Sequence, residues 1–191
     1  MAKSVFVITG TPGVGKTVTA KRVSEMRGMR LLELGALAQS GAISGKDAER
    51  ESLIIDPRKL RSAIRRELKG ADSDFIAEGH YGEIVPAELV KKAIVIRLDP
   101  IELESRLRER GYPEKKVREN VQAEILDSCL IGAVEAFGQD GVVEIDSTGM
   151  GEDALAKAVS EAIDGNAGAP PGTVNWIAKL EKDGKIAKLL Q

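Results

Sequence analysis

Cysteine is almost absent from this chain of 191 residues, which carries Cys129 alone. A single thiol cannot form an internal disulfide framework, so the small disulfide-stapled secreted domains are excluded. No apolar run approaches the roughly 20 residues that a membrane-spanning helix needs. The segment after Met1 leads into a β-like run and not into a signal-peptide pattern. These absences predict a cytoplasmic protein with no membrane partner.

The chain also lacks an excess of charge of either sign. Lysine and arginine total 28, aspartate and glutamate total 30, and the formal net charge is -2. Such a balance gives no overall attraction to nucleic acid or to membranes, so an anion-binding site has to be local. The length predicts one main domain with a small appendage. We place the domain at 1–164, and a linker with a helical extension at 165–191.

Short apolar runs rich in β-branched residues alternate with helical patterns along the main domain. The first, "SVFVIT" at 4–9, is typical of a strand buried on both faces of a parallel sheet. Further strands are predicted at 30–34, 73–79, 92–98 and 141–146, and helices at 16–27, 58–69, 101–110, 114–137 and 152–163. This alternation predicts an α/β fold, a five-stranded parallel sheet with helices on both faces and ligands at the carboxyl ends of the strands.

Two segments depart from this alternation. Residues 35–57 are polar and punctuated by glycine, and their length predicts a functional insertion. The run "GNAGAPPG" at 165–172 is typical of a linker. After it we expect one or two short amphipathic helices with Val174, Ile177 and Leu180 on one face. We expect Trp176 to anchor this extension to the body or to a partner.

A phosphate-binding loop follows the first strand. The run "GTPGVGKT", Gly10 to Thr17, matches G-x-x-x-x-G-K-[ST] between a predicted strand and a predicted helix, the context that the motif requires. Backbone N–H groups of such a loop surround phosphate oxygens, and the helix N-terminus adds its positive dipole end. In this motif Lys16 contacts the β and γ phosphates, and the Thr17 hydroxyl binds Mg²⁺. The sequence therefore predicts a P-loop nucleoside triphosphate site with Mg²⁺ as cofactor.

A second local cluster of charge is "RLRERGYPEKKVREN" at 106–120, with six cations and three anions. Arg106 and Arg110 are four residues apart and share one helical face, whereas Arg108 points elsewhere. Gly111-Tyr112-Pro113 ends this helix and starts another. The pattern predicts a helical hairpin that closes over a triphosphate and excludes water. A solvated surface hairpin held by pairs such as Glu114–Arg118 is the alternative.

Together, "GTPGVGKT" and "RLRERGYPEKKVRENVQAEI" resemble the adenylate kinase isoenzyme 6 family, also called CINAP, of archaea and eukaryotes. The resemblance covers residues 3 to about 150. It implies an ATP/AMP phosphotransferase with a short AMP-binding segment at about 33–56 and a short helical lid at about 109–119. Members of that family also hydrolyse ATP and act in maturation of the small ribosomal subunit, where they bind a protein of its platform. The implied partners are therefore ATP, AMP, this ribosomal protein and possible precursor rRNA.

The resemblance also implies roles for individual residues. Arg110 matches the lid arginine that contacts ATP, and Arg106 shares its face. Gly35 lies in the segment that matches the AMP-binding position. Adenine binds family members at a loop after the last strand, here "TGM", Thr148, Gly149 and Met150. The predicted ATP-binding set is Gly13, Val14, Gly15, Lys16, Thr17, Val18, Arg106, Arg110, Thr148, Gly149 and Met150.

Glu78 and His80 follow the third predicted strand, in "DFIAEGHYG". Glu78 stands where a Walker-B carboxylate orders Mg²⁺. Glutamate is one methylene longer than aspartate, which favours a contact with the ion through water. An exposed carboxylate at the strand end is the alternative interpretation. His80, the one histidine of the chain, lies beside the expected ligand crevice and is predicted to position either the AMP phosphate or a hydrolytic water. The predicted catalytic set is Lys16, Thr17, Arg110, Glu78 and His80.

Other candidates and functions stay open at this point. Asp56 could serve as the base of a kinase for a hydroxylated metabolite, but it more simply caps the helix that begins near Pro57. Cys129 has no partner motif, so we expect it in the core. The leading prediction is transfer of the ATP γ-phosphoryl to AMP with slower ATP hydrolysis. The rivals are an ATP-driven ribosome assembly factor with incidental kinase activity, and a small-metabolite kinase.

Overall fold

The five predicted strands form one parallel sheet in the computed structural model, which describes residues 4–47 and 52–189. Residues 48–51 of the predicted AMP-binding segment and 190–191 of the predicted extension lie outside the described residues. The strands of the sheet are β1 (Val5–Thr9), β2 (Arg30–Glu33), β5 (Phe75–Glu78), β6 (Val90–Arg97) and β7 (Val142–Asp146). A separate two-stranded sheet contains β3 (Ile43–Asp47) and β4 (Ser52–Ile55).

The strand order of the main sheet is β2-β5-β1-β6-β7, with every neighbouring pair parallel. β1 therefore lies at the centre, and all five of its residues are buried, as its uninterrupted apolar sequence predicts. The neighbours of β1 in the sheet are β5 and β6, although β2 follows β1 in the sequence. The carboxyl ends of β1 and its neighbours consequently meet at one edge, where ligands of such sheets bind.

Helices cover both faces of the sheet, which confirms the predicted P-loop α/β fold. The helices are α1 (Lys16–Arg27), α2 (Leu34–Gln39), α3 (Pro57–Leu68), α4 (Pro100–Glu109), α5 (Glu114–Ile125), α6 (Ser128–Phe137), α7 (Glu152–Ile163), α8 (Trp176–Lys182) and α9 (Ile186–Leu189). One apolar cluster lies under α1, α4, α5 and α7, and the other lies under α2, α3 and α6.

The prediction of one helix over 114–137 is wrong, because the helix is interrupted between α5 and α6. Asp127 takes a left-handed conformation there, with φ at 56°. The reason is Arg97, whose guanidinium donates to the Asp127 carboxylate and to the Glu124 carbonyl oxygen. The same carbonyl oxygen accepts from the Asp127 N–H group at 3.3 Å, only three residues on, so the last turn of α5 tightens and a new helix starts at Ser128.

The insertion after β2 folds into α2 and the β3–β4 hairpin before it reaches α3. The Asp56 carboxylate accepts hydrogen bonds from the backbone N–H groups of Arg58 at 2.9 Å and Lys59 at 3.2 Å. Pro57 occupies the first turn of α3, where a missing N–H group costs nothing. Asp56 is therefore an N-cap, as the simpler of its two interpretations predicted.

The C-terminal extension packs on the main domain through a face that differs from the predicted one. Trp176 and Leu180 are buried, whereas Ile177 is 39% exposed. The two buried residues are four apart, so α8 is rotated relative to the predicted stripe. The anchoring role of Trp176 is confirmed. None of the helices in the described ranges is long and apolar enough to span a bilayer.

Candidate nucleotide site

The phosphate loop between β1 and α1 fits against two neighbouring elements. Gly10 has φ at +142°, and a Cβ atom there would lie 2.4 Å from the Ile96 carbonyl oxygen on β6. Gly13 has φ at +102°, and its Cβ atom would lie 2.8 Å from the side chains of both Leu103 and Leu107 on α4. Glycine is required at both positions because a side chain would collide with backbone or core. The loop is thereby packed on α4, the first helix of the predicted hairpin.

Lys16 opens α1 and is 7% exposed. Its Nζ atom donates a hydrogen bond to the Thr11 carbonyl oxygen at 2.9 Å. Burial lowers the pKa of Lys16, and the nearby Arg110 charge lowers it further, while Glu78 and Glu124 oppose this shift. The amine is thus held inside the loop, next to the backbone N–H groups that a phosphate would contact.

Thr17 and Glu78 meet at the carboxyl end of β5. The Thr17 hydroxyl donates to a Glu78 carboxylate oxygen at 3.2 Å. Glu78 is 8% exposed, so the alternative of an exposed strand-end carboxylate is wrong. Burial raises the pKa of Glu78, the charge of Lys16 and the Thr17 hydrogen bond oppose this, and Glu33 raises it further. Glu33 is the in-register partner of Glu78 on β2.

These two residues supply hard oxygen donors of the kind that Mg²⁺ prefers. Within residues 4–47 and 52–189 no cluster of three His, Cys, Asp or Glu side chains forms a complete protein cage. Magnesium in P-loop proteins takes few protein ligands and binds chiefly to nucleotide phosphates and water, so the Thr17 and Glu78 donors fit the ion.

His80 lies two residues beyond β5 and lines the mouth of the P-loop crevice, where part of the residue stays open to solvent. Its ring contacts that of Tyr81, with centroids 3.6 Å apart. Desolvation in the crevice, together with the positive charge of Lys16, lowers the pKa of His80 to about 4. The imidazole is therefore neutral at neutral pH, and can donate or accept a hydrogen bond.

The predicted helical hairpin is formed by α4 and α5. Gly111 has φ at 72°, its N–H group bonds to the Arg108 carbonyl, and that of Tyr112 bonds to the Leu107 carbonyl at 3.1 Å. This pair of hydrogen bonds defines a Schellman motif, after which Pro113 precedes α5. The sequence prediction of a helix end at Gly-Tyr-Pro is confirmed.

The arginines of this hairpin differ in their partners. Arg108 pairs with Glu104 at 2.9 Å and with Glu114 at 2.7 Å, on the outside of the hairpin. Arg106 pairs with Glu102 at 2.5 Å. Arg110 forms no ion pair within the described part of the chain, and it lines both cavities beside the phosphate loop. Arg110 thus remains available to an anionic ligand.

Two cavities meet at Arg110. The first, of about 360 Å³, is called the α1–α7 cavity here, and its lining is Val14, Gly15, Val18, Thr19, Arg106, Glu109, Arg110, Ser147, Met150, Gly151, Glu152 and Leu155. The second, of about 560 Å³, is called the P-loop crevice, and its lining is Thr11, Pro12, Gly13, Lys16, Thr17, Glu78, His80, Arg110, Tyr112, Lys116, Asn120, Ala123 and Cys129. All five predicted catalytic residues line the P-loop crevice.

Four other predicted site residues take different positions. Met150 lines the α1–α7 cavity, but Thr148 and Gly149 do not. The Thr148 hydroxyl accepts from the Asp99 N–H group at 3.0 Å and donates to Asp146, so it shapes the loop behind Met150. Gly35, in the first turn of α2, is exposed, and a Cβ atom there would have open space around it. It lines neither cavity.

Several lining residues were missed by the sequence reasoning. Cys129 packs against the apolar cluster under α2, α3 and α6, as the predicted core position requires, but it is only half-buried and also lines the P-loop crevice. Asn120 stands one turn after Lys116 and donates to its carbonyl oxygen at 2.7 Å. The spacing of Lys116 and Asn120 could have indicated a shared face. Ser147 and Glu152 carry no comparable signal, because each comes to the cavity through tertiary packing.

The chain matches the model of the AAA domain family over residues 7–127, more than half of its length. A "Putative adenylate kinase" of Methanothermobacter thermautotrophicus is 39% identical over 90% of this chain and 96% of the relative. A protein of the same name in Thermococcus kodakarensis is 36% identical, over 90% and 92%. The protein is thus a member of the AAA domain family, and it also belongs to the family formed by these archaeal relatives.

Solved structures with little sequence identity share the fold. A tunicamycin resistance protein of Deinococcus radiodurans has a TM-score of 0.56 at 21% identity and covers 88% of this chain and 99% of its own. A gluconokinase of Sinorhizobium meliloti has a TM-score of 0.50 at 15% identity, over 85% and 97%. These likenesses support the P-loop fold alone.

Proposed function

We propose that this protein is an adenylate kinase that transfers the γ-phosphoryl group of ATP to AMP and forms two ADP molecules. The observation that carries the proposal is the convergence of Lys16, Thr17, Glu78 and Arg110 on one crevice. It occurs in a chain whose archaeal relatives are named for this activity.

Transfer of a phosphoryl group depends on positioning and on stabilisation of phosphate charge. Lys16 exchanges its hydrogen bond to the Thr11 carbonyl for phosphate oxygens of ATP. Arg110 enters from the opposite side, at the tip of the α4–α5 hairpin. The two cations then flank the transferred group, and closing of the hairpin over residues 109–119 excludes water.

Mg²⁺ bound with ATP supplies charge neutralisation of the phosphates, with Thr17 as its protein ligand and Glu78 acting through water. The acceptor oxygen of AMP is already ionised, so the reaction needs no general base. The low pKa of His80 agrees with this, because a neutral imidazole can position the AMP phosphate but is a weak proton acceptor at neutral pH.

The remaining predicted residues are proposed to bind the two nucleosides. Adenine of ATP enters the α1–α7 cavity, beside Met150 of the loop at 148–150 and Val18 of α1. Gly15 and Val14 contribute the backbone beneath its phosphates, with Arg106 on the far wall. AMP is held by the segment 33–56, in which Gly35 leaves open space on α2.

We also propose slower ATP hydrolysis and a role in maturation of the small ribosomal subunit. The support is the resemblance of the lid sequence to the isoenzyme 6 family. The partner implied by this resemblance is the platform protein of that subunit, and an ATP-driven assembly role with incidental kinase activity uses the same pocket. Co-purification with that protein, lost on adding ATP, would favour the assembly role. The metabolite-kinase alternative relied on Asp56 as its base, and the Asp56 carboxylate instead caps α3.

The test is Lys16→Ala compared with Lys21→Ala. Lys21 is exposed on the same helix, so its removal leaves the phosphate site intact. We expect Lys16→Ala to abolish both AMP-dependent ADP formation and ATP hydrolysis while the far-UV circular dichroism stays native. We expect Lys21→Ala to behave as the wild type. A fully active Lys16→Ala variant would overturn the assignment.

A further inference from the structure

Glu124 on α5 is a buried carboxylate that the proposed reaction does not use. Its side chain is 2% exposed. One oxygen, Oε1, accepts hydrogen bonds from Arg97 Nε at 2.8 Å, from Trp176 Nε1 at 3.0 Å and from the Leu98 N–H group at 3.2 Å. The other, Oε2, accepts from the Thr11 hydroxyl at 2.5 Å. The two oxygens therefore accept from four donors, which come from three separate parts of the chain.

Thr11 is the link from this carboxylate to the phosphate site. It is the second residue of the phosphate loop and is 1% exposed. Its hydroxyl binds Glu124, while its carbonyl oxygen accepts the hydrogen bond of Lys16 Nζ. Thr11 thus binds the Lys16 amine through its carbonyl oxygen and is itself bound by Glu124 through its hydroxyl.

Trp176 is the link from the same carboxylate to the C-terminal segment, residues 169–182. This segment is attached at further points: the Thr173 N–H group donates to the buried Glu144 at 3.0 Å, and Lys179 pairs with Asp99 at 2.5 Å. Asp99 is the N-cap of α4, the helix that leads into the lid. The segment therefore contacts the base of the lid and, through Glu124, the phosphate loop.

We propose that Glu124 is a positioning residue that fixes Thr11 in the phosphate loop, and that Trp176 orients Glu124. The C-terminal segment is then part of the nucleotide site, although it lines neither cavity. Arg97 pairs with Glu124 at 2.8 Å and supplies the opposite charge beside this buried carboxylate. The inference deepens the proposed function and rests on it in one respect, that the phosphate loop binds a nucleotide.

The test uses fluorescence, because Trp176 is the one tryptophan of the chain. The full-length protein is titrated with a non-hydrolysable ATP analogue and Mg²⁺, and the Kd is measured independently by calorimetry. We expect the emission of Trp176 to change and to saturate with the calorimetric Kd. Thr11→Val removes the hydroxyl but keeps the shape, and should abolish this change.

Affinity separates a positioning role from a structural one. Trp176→Phe keeps an aromatic ring but loses the N–H donor, and Thr11→Val loses the other donor. Each should raise the Kd roughly fivefold to tenfold, the effect of one hydrogen bond. The double variant should be no weaker than the weaker single one, because both act through Glu124. Ile177→Ala, the matched control on the same helix, should leave the Kd unchanged.

Three results decide the matter. If both single variants lower the melting temperature but keep the wild-type Kd, or if saturating analogue leaves the emission unchanged, the positioning role is wrong and the proposed function stands. If the analogue binds as described but AMP is not phosphorylated, the proposed function fails and the positioning role stands. If the wild type binds no analogue, both fall.

Discussion

Replacement of Arg110 by alanine gives the sharpest prediction about the lid. Arg110 forms no ion pair within the described ranges and lines both cavities, whereas Arg108, two residues earlier on the same helix, is engaged by Glu104 and Glu114. A hydrogen bond to a charged group contributes about 1.5–3 kcal/mol. At about 1.36 kcal/mol for each factor of ten, its loss should lower kcat/KM roughly 10- to 150-fold.

The assay is ADP formation at saturating AMP with ATP varied, for Arg110→Ala and for Arg108→Ala as the matched control. Arg108 is exposed and pairs with Glu104 and Glu114, so its removal should leave kcat/KM near the wild type. Arg110→Lys should recover part of the activity, because the charge remains but the planar fork is lost. Equal activity of Arg110→Ala and wild type, or an equal loss in Arg108→Ala, would refute the assignment of Arg110 to the phosphate.

Two further predictions concern pH and the buried charges. Because the pKa of His80 is lowered to about 4 from a usual value near 6.5, its stabilising contribution is complete above about pH 6.5 and is lost as the pH falls towards 4. In urea unfolding, the free energy of unfolding of His80→Asn should therefore fall less over that pH range than that of the wild type. An equal fall in both proteins would contradict the lowered pKa of His80. Arg97→Met should cost about 3–5 kcal/mol in the same assay, since Glu124 and Glu144 would stay buried without a counter-charge, whereas Arg22→Met, in an exposed pair, should cost under about 1 kcal/mol. Similar costs for the two arginines would contradict the importance of the buried cluster.

The sheet, the phosphate loop and the lid turn could be predicted from sequence because each has a local cause. The run at 5–8 is apolar throughout, so it suits a strand that is buried on both faces. Gly111 and Pro113 specify a helix end and a helix start through backbone dihedral angles alone. Asp56 caps α3 through contacts two and three residues away. The signal for each of these features lies within a few residues of the feature itself.

The parts that sequence reasoning missed depend on contacts far apart in the chain. The helix breaks at Asp127, where Arg97, thirty residues earlier, donates to the Asp127 carboxylate and to the Glu124 carbonyl oxygen. Trp176 faces Glu124, fifty-two residues earlier, so the buried stripe of α8 is rotated from the predicted one. A signal was present in both cases. Arg97 and Glu124 are charged residues at positions where the strand and helix patterns require an apolar side chain, and such residues are buried only when paired.

The central claim is that AMP is the acceptor of the phosphoryl group, and one measurement tests it most directly. ADP and inorganic phosphate are quantified together while the wild-type protein consumes ATP, with and without AMP. Our account predicts that AMP accelerates ADP formation, that two ADP form for each ATP consumed, and that phosphate release is minor. Equal amounts of ADP and phosphate, formed at a rate that AMP does not change, would contradict it.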